Sequence, residues 1–304
     1  MNLKGTLKSL LPPIAQDMIK SSKTRASLRR YRSNRIPWSD GYAAFKNHYI
    51  RQTLADESLM SLFRHGSSLP PGYGVGIDER CVEYPWLVAN MDGRSGYFLD
   101  AGSTLNHDYI LEHPVFREKK LWIMTLAPET NCFWRKGISY VFCDLREIPI
   151  VDNYFDAVAC LSTLEHIGWD NVLYTHDESY RERQPKDFVQ AVKEIRRVLK
   201  PGGVLYISVP YGAYTDLGTF QQFDRNLLSR AIEAFGPFSE KKEIFYRYRE
   251  DGWNIAGAEE CAGCTYVEWI NKPRNKWPKP LPVEPDRAAA ARAVACVRLV
   301  KKET

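Results

Sequence analysis

Two histidines, His166 and His176, fall in one stretch dense with aromatic and hydrogen-bonding groups, LSTLEHIGWDNVLYTHDESY (161–180). An unperturbed imidazole titrates near pH 6.5, so either ring can take a hydroxyl proton near neutrality. Trp169 and Tyr174 in this stretch, with Tyr211 and Tyr214 in VPYGAYTD, offer flat faces and polar tips to a substrate; the same residues equally suit a solvated loop. Upstream, four apolar runs end in small, hydroxyl or acidic residues. These are Asp100, Gly102 and Ser103 in LDAGST, Thr125 and Glu129 in LWIMTLAPE, Asp144 and Leu145 in FCDLRE, and Ser162 and Thr163 in CLSTLEH. Glycine lets a backbone pass close to a ligand, and carboxylates and hydroxyls supply hydrogen bonds. The pattern is that of a polar ligand held beside a group able to accept a proton.

Short apolar runs alternating with helical stretches position these residues, which is the sequence form of βαβ units around a parallel sheet. Five runs read as strands: 97–101, 121–126, 138–143, 156–161 and 204–210. Each is almost wholly apolar, as a strand covered on both faces must be. Between the last two, Phe188, Val192, Ile195 and Leu199 repeat at three and four, predicting a helix over 186–200 that Pro201-Gly202-Gly203 stops. Beyond Gly212, KKEIFYRY (241–248) and AVACVRLVKK (293–302) suit an antiparallel pair closing the sheet. A sheet of this kind binds ligands outside the carboxyl ends of its strands, where the functional loops therefore belong.

YFLDAGS, CDLREIPIVDNYFDAVACLSTLEHIG and EIRRVLKPGGVLYISVPYG together resemble the class I S-adenosylmethionine (SAM) dependent methyltransferases, in particular the small-molecule, type 11-like branch. The resemblance covers roughly the middle and C-terminal two thirds of the chain. It implies an α/β fold, a Rossmann-like, mostly parallel seven-stranded sheet with helices on both faces. Residues 1–90 then form an N-terminal helical extension and 91–304 the SAM-dependent methyltransferase domain.

The resemblance also assigns roles. The turn after Asp100, with Gly102 and Ser103, would receive the methionine part of SAM, Asp144 the adenine amino group, Leu145 the face of the ring, and Ser162 and Thr163 the rest of the cofactor wall. Two departures stand out. Thr104 and Asn106 occupy positions where the family carries further glycines, although their side chains, like that of Ser103, are able to donate hydrogen bonds to the methionine carboxylate. Thr125 stands where an acid usually takes both ribose hydroxyls; either Glu129, just beyond, substitutes for it, or the cofactor binds more weakly, or the fold has lost its cofactor. His166 is the candidate base, with His176 as the lid alternative; in many relatives the corresponding Glu-His pair is structural.

The activity so implied is methyl transfer to a hydroxyl of a small polar molecule, such as a sugar or a glycan or natural-product intermediate of polysaccharide biosynthesis. SAM carries its own activation, so no metal is called for. A non-catalytic methyltransferase-fold binding protein is the rival, motivated by Thr104 and Thr125, with nucleic-acid or protein methylation behind it. No base-methylation motif or RNA module supports a nucleic-acid acceptor, and a dinucleotide oxidoreductase is disfavoured because GxGxxG is missing after the first strand.

Composition bounds these readings. The chain has 304 residues, 44% hydrophobic and 26% charged, with no run of the roughly 20 apolar residues that span a membrane. Seven scattered cysteines, an odd number, read as reduced thiols of a cytoplasmic enzyme, and Cys261 and Cys264 form a lone CxxC. Nine of the first forty residues are Lys or Arg against Asp17 and Asp40, and Leu3, Leu7, Leu10, Leu11, Ile14 and Met18 recur at helical spacing before and across Pro12-Pro13. A frayed basic arm and a membrane-peripheral contact both fit that N-terminus. Oligomeric state has no signature in the sequence.

Overall fold

The computed structural model describes residues 26–33, 35–268 and 283–303. The amphipathic segment Leu3 to Met18 lies outside them. An eight-stranded sheet organises the chain: β1 (Gly96–Ala101), β2 (Lys119–Thr125), β3 (Ser139–Phe142), β4 (Phe155–Leu161), β5 (Leu199–Pro210), β6 (Phe238–Arg249), β7 (Gly252–Ala256) and β8 (Ala293–Lys301). Its order is β3-β2-β1-β4-β5-β8-β6-β7. The first five strands run parallel. β8 inserts antiparallel between β5 and β6, so the two segments expected to close the sheet do pair.

One strand more than expected is present. β7 folds back on β6 through Glu250 and Asp251. Its first residue, Gly252, has φ +103°, and a Cβ there would lie 2.3 Å from the Tyr73 carbonyl oxygen. Trp253 then takes that same carbonyl through its amide at 2.7 Å. The strand GWNIA is short and partly polar, so it lacks the alternation by which an edge strand is recognised.

Strand alternation divides the core in two. Phe98, Tyr206, Val294 and Cys296 face a cluster containing Tyr31, Tyr42, Phe63 and Trp86 from the N-terminal segment. Their neighbours Leu99, Leu205, Ile207, Ala295 and Val297 face the opposite cluster. On the first face lie α1 (Tyr42–Ala55), α2 (Glu57–His65) and α3 (Arg80–Asn90). The stretch expected to be an extension therefore supplies the helical layer of one face. Tyr42 and Phe45 are buried in it, and the Trp38 indole donates to the Ala289 carbonyl at 2.6 Å.

α4 (Phe188–Val198) and α5 (Arg225–Phe235) cover the other face. Phe188, Ala191, Val192, Ile195 and Val198 form the buried stripe of α4. That helix ends before Pro201-Gly202-Gly203: Leu199 already pairs with Phe155, and the register jumps so that Val204 pairs with Ala157. The Pro-Gly-Gly run is thus a bulge within β5 rather than the helix stop expected of it. Cys261 and Cys264 are free and buried, and burial pushes the Cys261 thiol up to about 12.

Candidate functional site

The sheet order reverses between β1 and β4, and the loops leaving their carboxyl ends meet there. Asp100, the penultimate residue of β1, is buried; its Oδ2 accepts the Leu105 amide at 2.8 Å and its Oδ1 the Thr104 amide at 3.2 Å. Burial raises its pKa to about 7 against the pull of those amides. Asp100 therefore staples the turn from behind.

Gly102 has φ +117°, and a Cβ on it would lie 2.1 Å from the Thr163 hydroxyl oxygen, so glycine is what lets the two loops touch. Ser103 (φ +61°) and Ser162 (φ +38°) also lie in the left-handed region. A non-glycine residue there costs on the order of 1 kcal/mol and marks a constrained site. Each of the two serines is the chain neighbour of one of the residues that touch, Gly102 and Thr163.

Thr104 and Asn106, which replace the family's glycines, are engaged. The Thr104 hydroxyl donates to the Leu161 carbonyl at 2.8 Å, tying the β1 turn to the β4 loop. Asn106 is buried; the Tyr140 hydroxyl donates to its Oδ1 at 2.9 Å, and its Nδ2 donates to Glu129 Oε2 at 3.0 Å and to the Asn131 carbonyl at 3.0 Å. The chain Tyr140–Asn106–Glu129 holds an exposed carboxylate beyond the end of β2, where Thr125 offers only a neutral hydroxyl. Ser103 Oγ is buried without a partner among the described residues.

Asp144 is bound on both oxygens. Arg146 donates to it through its amide (2.8 Å), Nε (3.0 and 3.1 Å) and Nη2 (2.7 Å). The same guanidinium reaches Glu182 and Asp187, each at 2.7 Å, joining this loop to the segment after His166. That segment is also pinned at Gly168, whose carbonyl accepts the Gln184 amide at 2.6 Å.

The loops surround a cavity of about 690 Å³. Of the residues singled out by sequence, Gly102, Ser103, Thr125, Glu129, Asp144, Leu145, Ser162, Thr163, His166, Tyr174 and His176 line it. Asp100, Trp169, Tyr211 and Tyr214 do not. Trp169 and Tyr211 are buried in the core, the latter with its ring 4.9 Å from that of Phe245, and Tyr214 is half exposed on the surface. Both tyrosines follow β5, one strand away from the reversal.

His166 Nδ1 lies 3.2 Å from the Thr219 carbonyl, so Nδ1 carries the proton and Nε2 is left as the acceptor. Its ring meets Tyr174 edge-on at 5.8 Å and Phe220 at 5.1 Å. Burial lowers its pKa to about 4, which keeps the ring neutral at physiological pH.

Sequence reasoning missed the wall supplied by α3. Glu83 is fully buried; its Oε1 accepts the Ser162 and Ser208 hydroxyls, each at 2.6 Å, and its Oε2 pairs with Arg80. Glu79, Arg80 and Tyr84 line the cavity, as does Glu165. The Tyr84 hydroxyl donates to the Thr104 carbonyl at 2.7 Å, which locks α3 to the β1 turn. Burial pushes the Glu79 carboxyl up to about 8, with the Asp78 and Glu83 charges adding to it, and raises Glu165 well above its ordinary range. The signal was present in DERCVEY, where three acids and an arginine share an otherwise apolar helix start.

Residues 124–207, from the end of β2 into β5, match the family described as "Methyltransferase domain". No curated protein sequence matches the chain. Similar solved structures include a 1,6-didemethyltoxoflavin N1-methyltransferase of Burkholderia thailandensis with 1,6-didemethyltoxoflavin and S-adenosylhomocysteine bound (15% identity, 97% of this chain and 92% of that one, TM-score 0.41). A SAM-dependent methyltransferase of Methanosarcina mazei is another (12% identity, 71% of this chain and 98% of that one, TM-score 0.42). Among the described residues no helix is long and apolar enough to cross a membrane, and no group of three or more His, Cys, Asp or Glu residues is arranged to hold a metal ion.

Proposed function

We propose, from the premise that this chain carries a class I SAM-dependent methyltransferase domain, that it transfers a methyl group to a hydroxyl of a small polar acceptor inside the 690 Å³ cavity. The observation that carries this reading is the pair of left-handed serines flanking Gly102 and Thr163 at the strand-order reversal, with a carboxylate held beside them by Asn106.

The donor set fits the cofactor. Glu129, steadied through one oxygen by Asn106, keeps its other oxygen for ribose hydroxyls and so takes over what Thr125 cannot do. The orphaned Ser103 Oγ and the turn around it suit the methionine end. Leu145 packs on the ring, and Ser162 and Thr163 close the side toward the acceptor. Asp144 reaches the adenine amino group only by sharing a carboxylate that Arg146 already surrounds. SAM supplies a methyl group activated by its sulfonium.

The chain's own task is to align the acceptor oxygen, exclude water and receive a proton. His166 Nε2 is the proton acceptor, its tautomer set by Thr219. Its lowered pKa makes the conjugate acid strong, so His166 passes its proton onward rather than storing it; His176, on the segment closed by Arg146, lines the same cavity. The acceptor is a sugar or a glycan or natural-product intermediate, bounded by Tyr174. A cytoplasmic setting and, through the basic N-terminus, contact with a membrane surface belong to the same proposal.

A second reading has one observation in its favour: the saturated Asp144 suits a binding protein that no longer turns SAM over. Calorimetry separates the two. The methyl-transfer reading expects S-adenosylhomocysteine to bind with micromolar affinity and Glu129→Ala to weaken it about tenfold, the value of one charge-assisted hydrogen bond. No binding of either SAM or S-adenosylhomocysteine overturns it, and binding without transfer to any hydroxyl acceptor favours the second reading.

A further inference from the structure

The wall formed by α3 and the loop after β4 holds more carboxyls than it has cations to match. Asp78 is satisfied by Lys46 at 2.6 Å and the Tyr42 hydroxyl at 2.8 Å. Glu83 takes Arg80 and two serine hydroxyls. Arg146 is divided among Asp144, Glu182 and Asp187. Among the described residues, Arg80 and Arg146 are the guanidinium groups of the cavity lining, and no lysine lines it.

Two carboxyls are left over, Glu79 and Glu165. Both line the cavity and both are more than nine-tenths buried, at 7% and 3% exposure. Glu79 Oε2 accepts the Ala291 amide at 3.3 Å, a long bond. Glu165 Oε2 has no partner among the described residues, and the charge of Glu79 bears on it. A buried carboxyl oxygen without a donor loses its hydration and gets nothing back, which native structures tolerate where a ligand makes up the loss.

A neutral hydroxyl would satisfy one lone pair and bring no charge to offset what burial costs the ionised carboxyls. An ammonium brings three donors and the missing charge together. We infer that the acceptor carries a cationic amine, as an amino sugar or amino alcohol does, and that the Glu79 and Glu165 carboxyls take the ammonium while the acceptor's hydroxyl faces His166. The inference rests on the methyl-transfer reading, whose acceptor it specifies. Arg80 is engaged by Glu83, and its charge offsets burial at Glu79 and Glu165 only in part. Burial raises the pKa of both carboxyls, so an amine that takes them in their ionised form expels protons into solution as it binds.

Calorimetry on the full chain loaded with S-adenosylhomocysteine tests this with matched pairs, D-glucosamine against D-glucose and serinol against glycerol, in two buffers of different ionisation enthalpy. In each pair the amine is expected to bind about tenfold or more tightly than the alcohol, the worth of one partly buried charge pair, with proton release on binding. Glu165→Gln and Glu79→Gln each reduce the preference toward parity while S-adenosylhomocysteine affinity stays within about threefold of the parent, since neither carboxyl belongs to the cofactor's donor set. Equal binding within the pairs overturns the inference and assigns Glu165 Oε2 to a buried water. Failure of both members to bind, or a preference that survives in both variants, overturns it as well. If Glu165→Gln does not fold, Glu79→Gln decides. If the parent binds no S-adenosylhomocysteine, the methyl-transfer reading falls, and the same pairs titrated into the unloaded protein still report on the carboxyls.

Discussion

At the carboxyl ends of β1, β2 and β3 the cavity is lined mainly by hydroxyls and apolar side chains, Leu126 and Leu145 among them, and the carboxylates there are either exposed, as Glu129 is, or neutralised in place, as Asp144 is by Arg146. Beside it, α3 and the loop after β4 withdraw Glu79, Arg80, Glu83 and Glu165 from water. The first wall is shaped by turn geometry and costs little to leave empty. The second holds desolvated carboxyls that burial disfavours from ionising until a cationic partner arrives. The contrast suggests a division of labour in which the turns hold the cofactor and the buried charges choose the acceptor.

The sharpest way to break the first wall is Gly102→Val. The new side chain must occupy the space of the Thr163 hydroxyl and adopt φ +117°, so S-adenosylhomocysteine binding is expected to weaken by more than about 100-fold, with part of the cost appearing as a lower melting temperature. Calorimetry beside thermal unfolding separates the two effects. Binding within a few-fold of the parent would mean that the loops need not touch.

His166→Ala probes the junction of the walls. Loss of a general base slows transfer by roughly 10² to 10⁴-fold, with S-adenosylhomocysteine affinity nearly unchanged. Since the ring is neutral above about pH 4, the parent's rate through this group is flat across neutral pH and falls only in acid. An inflection near pH 6.5 that disappears in the variant would contradict the buried, neutral imidazole.

Glu79→Gln reports on the second wall through stability. In the fold this carboxyl keeps its proton up to about pH 8, whereas it releases it near 4.5 when unfolded, so the folded state binds more protons across that window. Stability contributed by Glu79 is therefore full below about 4.5 and is lost as pH rises through about 8, on the order of a few kcal/mol at most. Urea titrations across this range should show the parent falling more steeply than the variant. Parallel curves would mean that the carboxyl is better solvated than its burial indicates.

A smaller effect lies outside both walls. The Asp56 side chain accepts the Ser58 and Leu59 amides at 2.9 and 3.2 Å at the start of α2, and Asp56→Ala should cost about 1 kcal/mol of stability without altering ligand affinity. A change in affinity would tie α2 to the cavity.

The first wall was legible because its determinants are local. LDAGS, FCDL and CLST each couple a strand end to the turn that follows, and both parts lie within a few residues of one another. Even there, Thr104 and Asn106 read as free donors when their side chains are spent on Leu161 and Glu129, since those partners come from other loops. Of the second wall only the charge cluster in DERCVEY was legible, and not the surface it forms. Glu83 meets Ser162 and Ser208 across 79 and 125 residues of chain, and nothing in the local pattern of α3 announces which of its faces is buried against the sheet. Tyr211 follows the same logic in reverse: it adjoins Gly212 in a loop that looks accessible, yet Phe245 of β6, which pairs with the inserted β8, meets its ring edge-on at 4.9 Å. β7 was missed because its length and polarity carry no period, and its place is set by contact with Tyr73.

A crystal structure with S-adenosylhomocysteine bound tests the division of the cavity most directly. The account predicts the ribose hydroxyls on Glu129, the adenine beside Leu145 and the homocysteine end at Ser103, with open volume remaining before Glu165 and His166. An adenosyl group lying against Glu79 and Glu165, or bound outside this cavity, would contradict it.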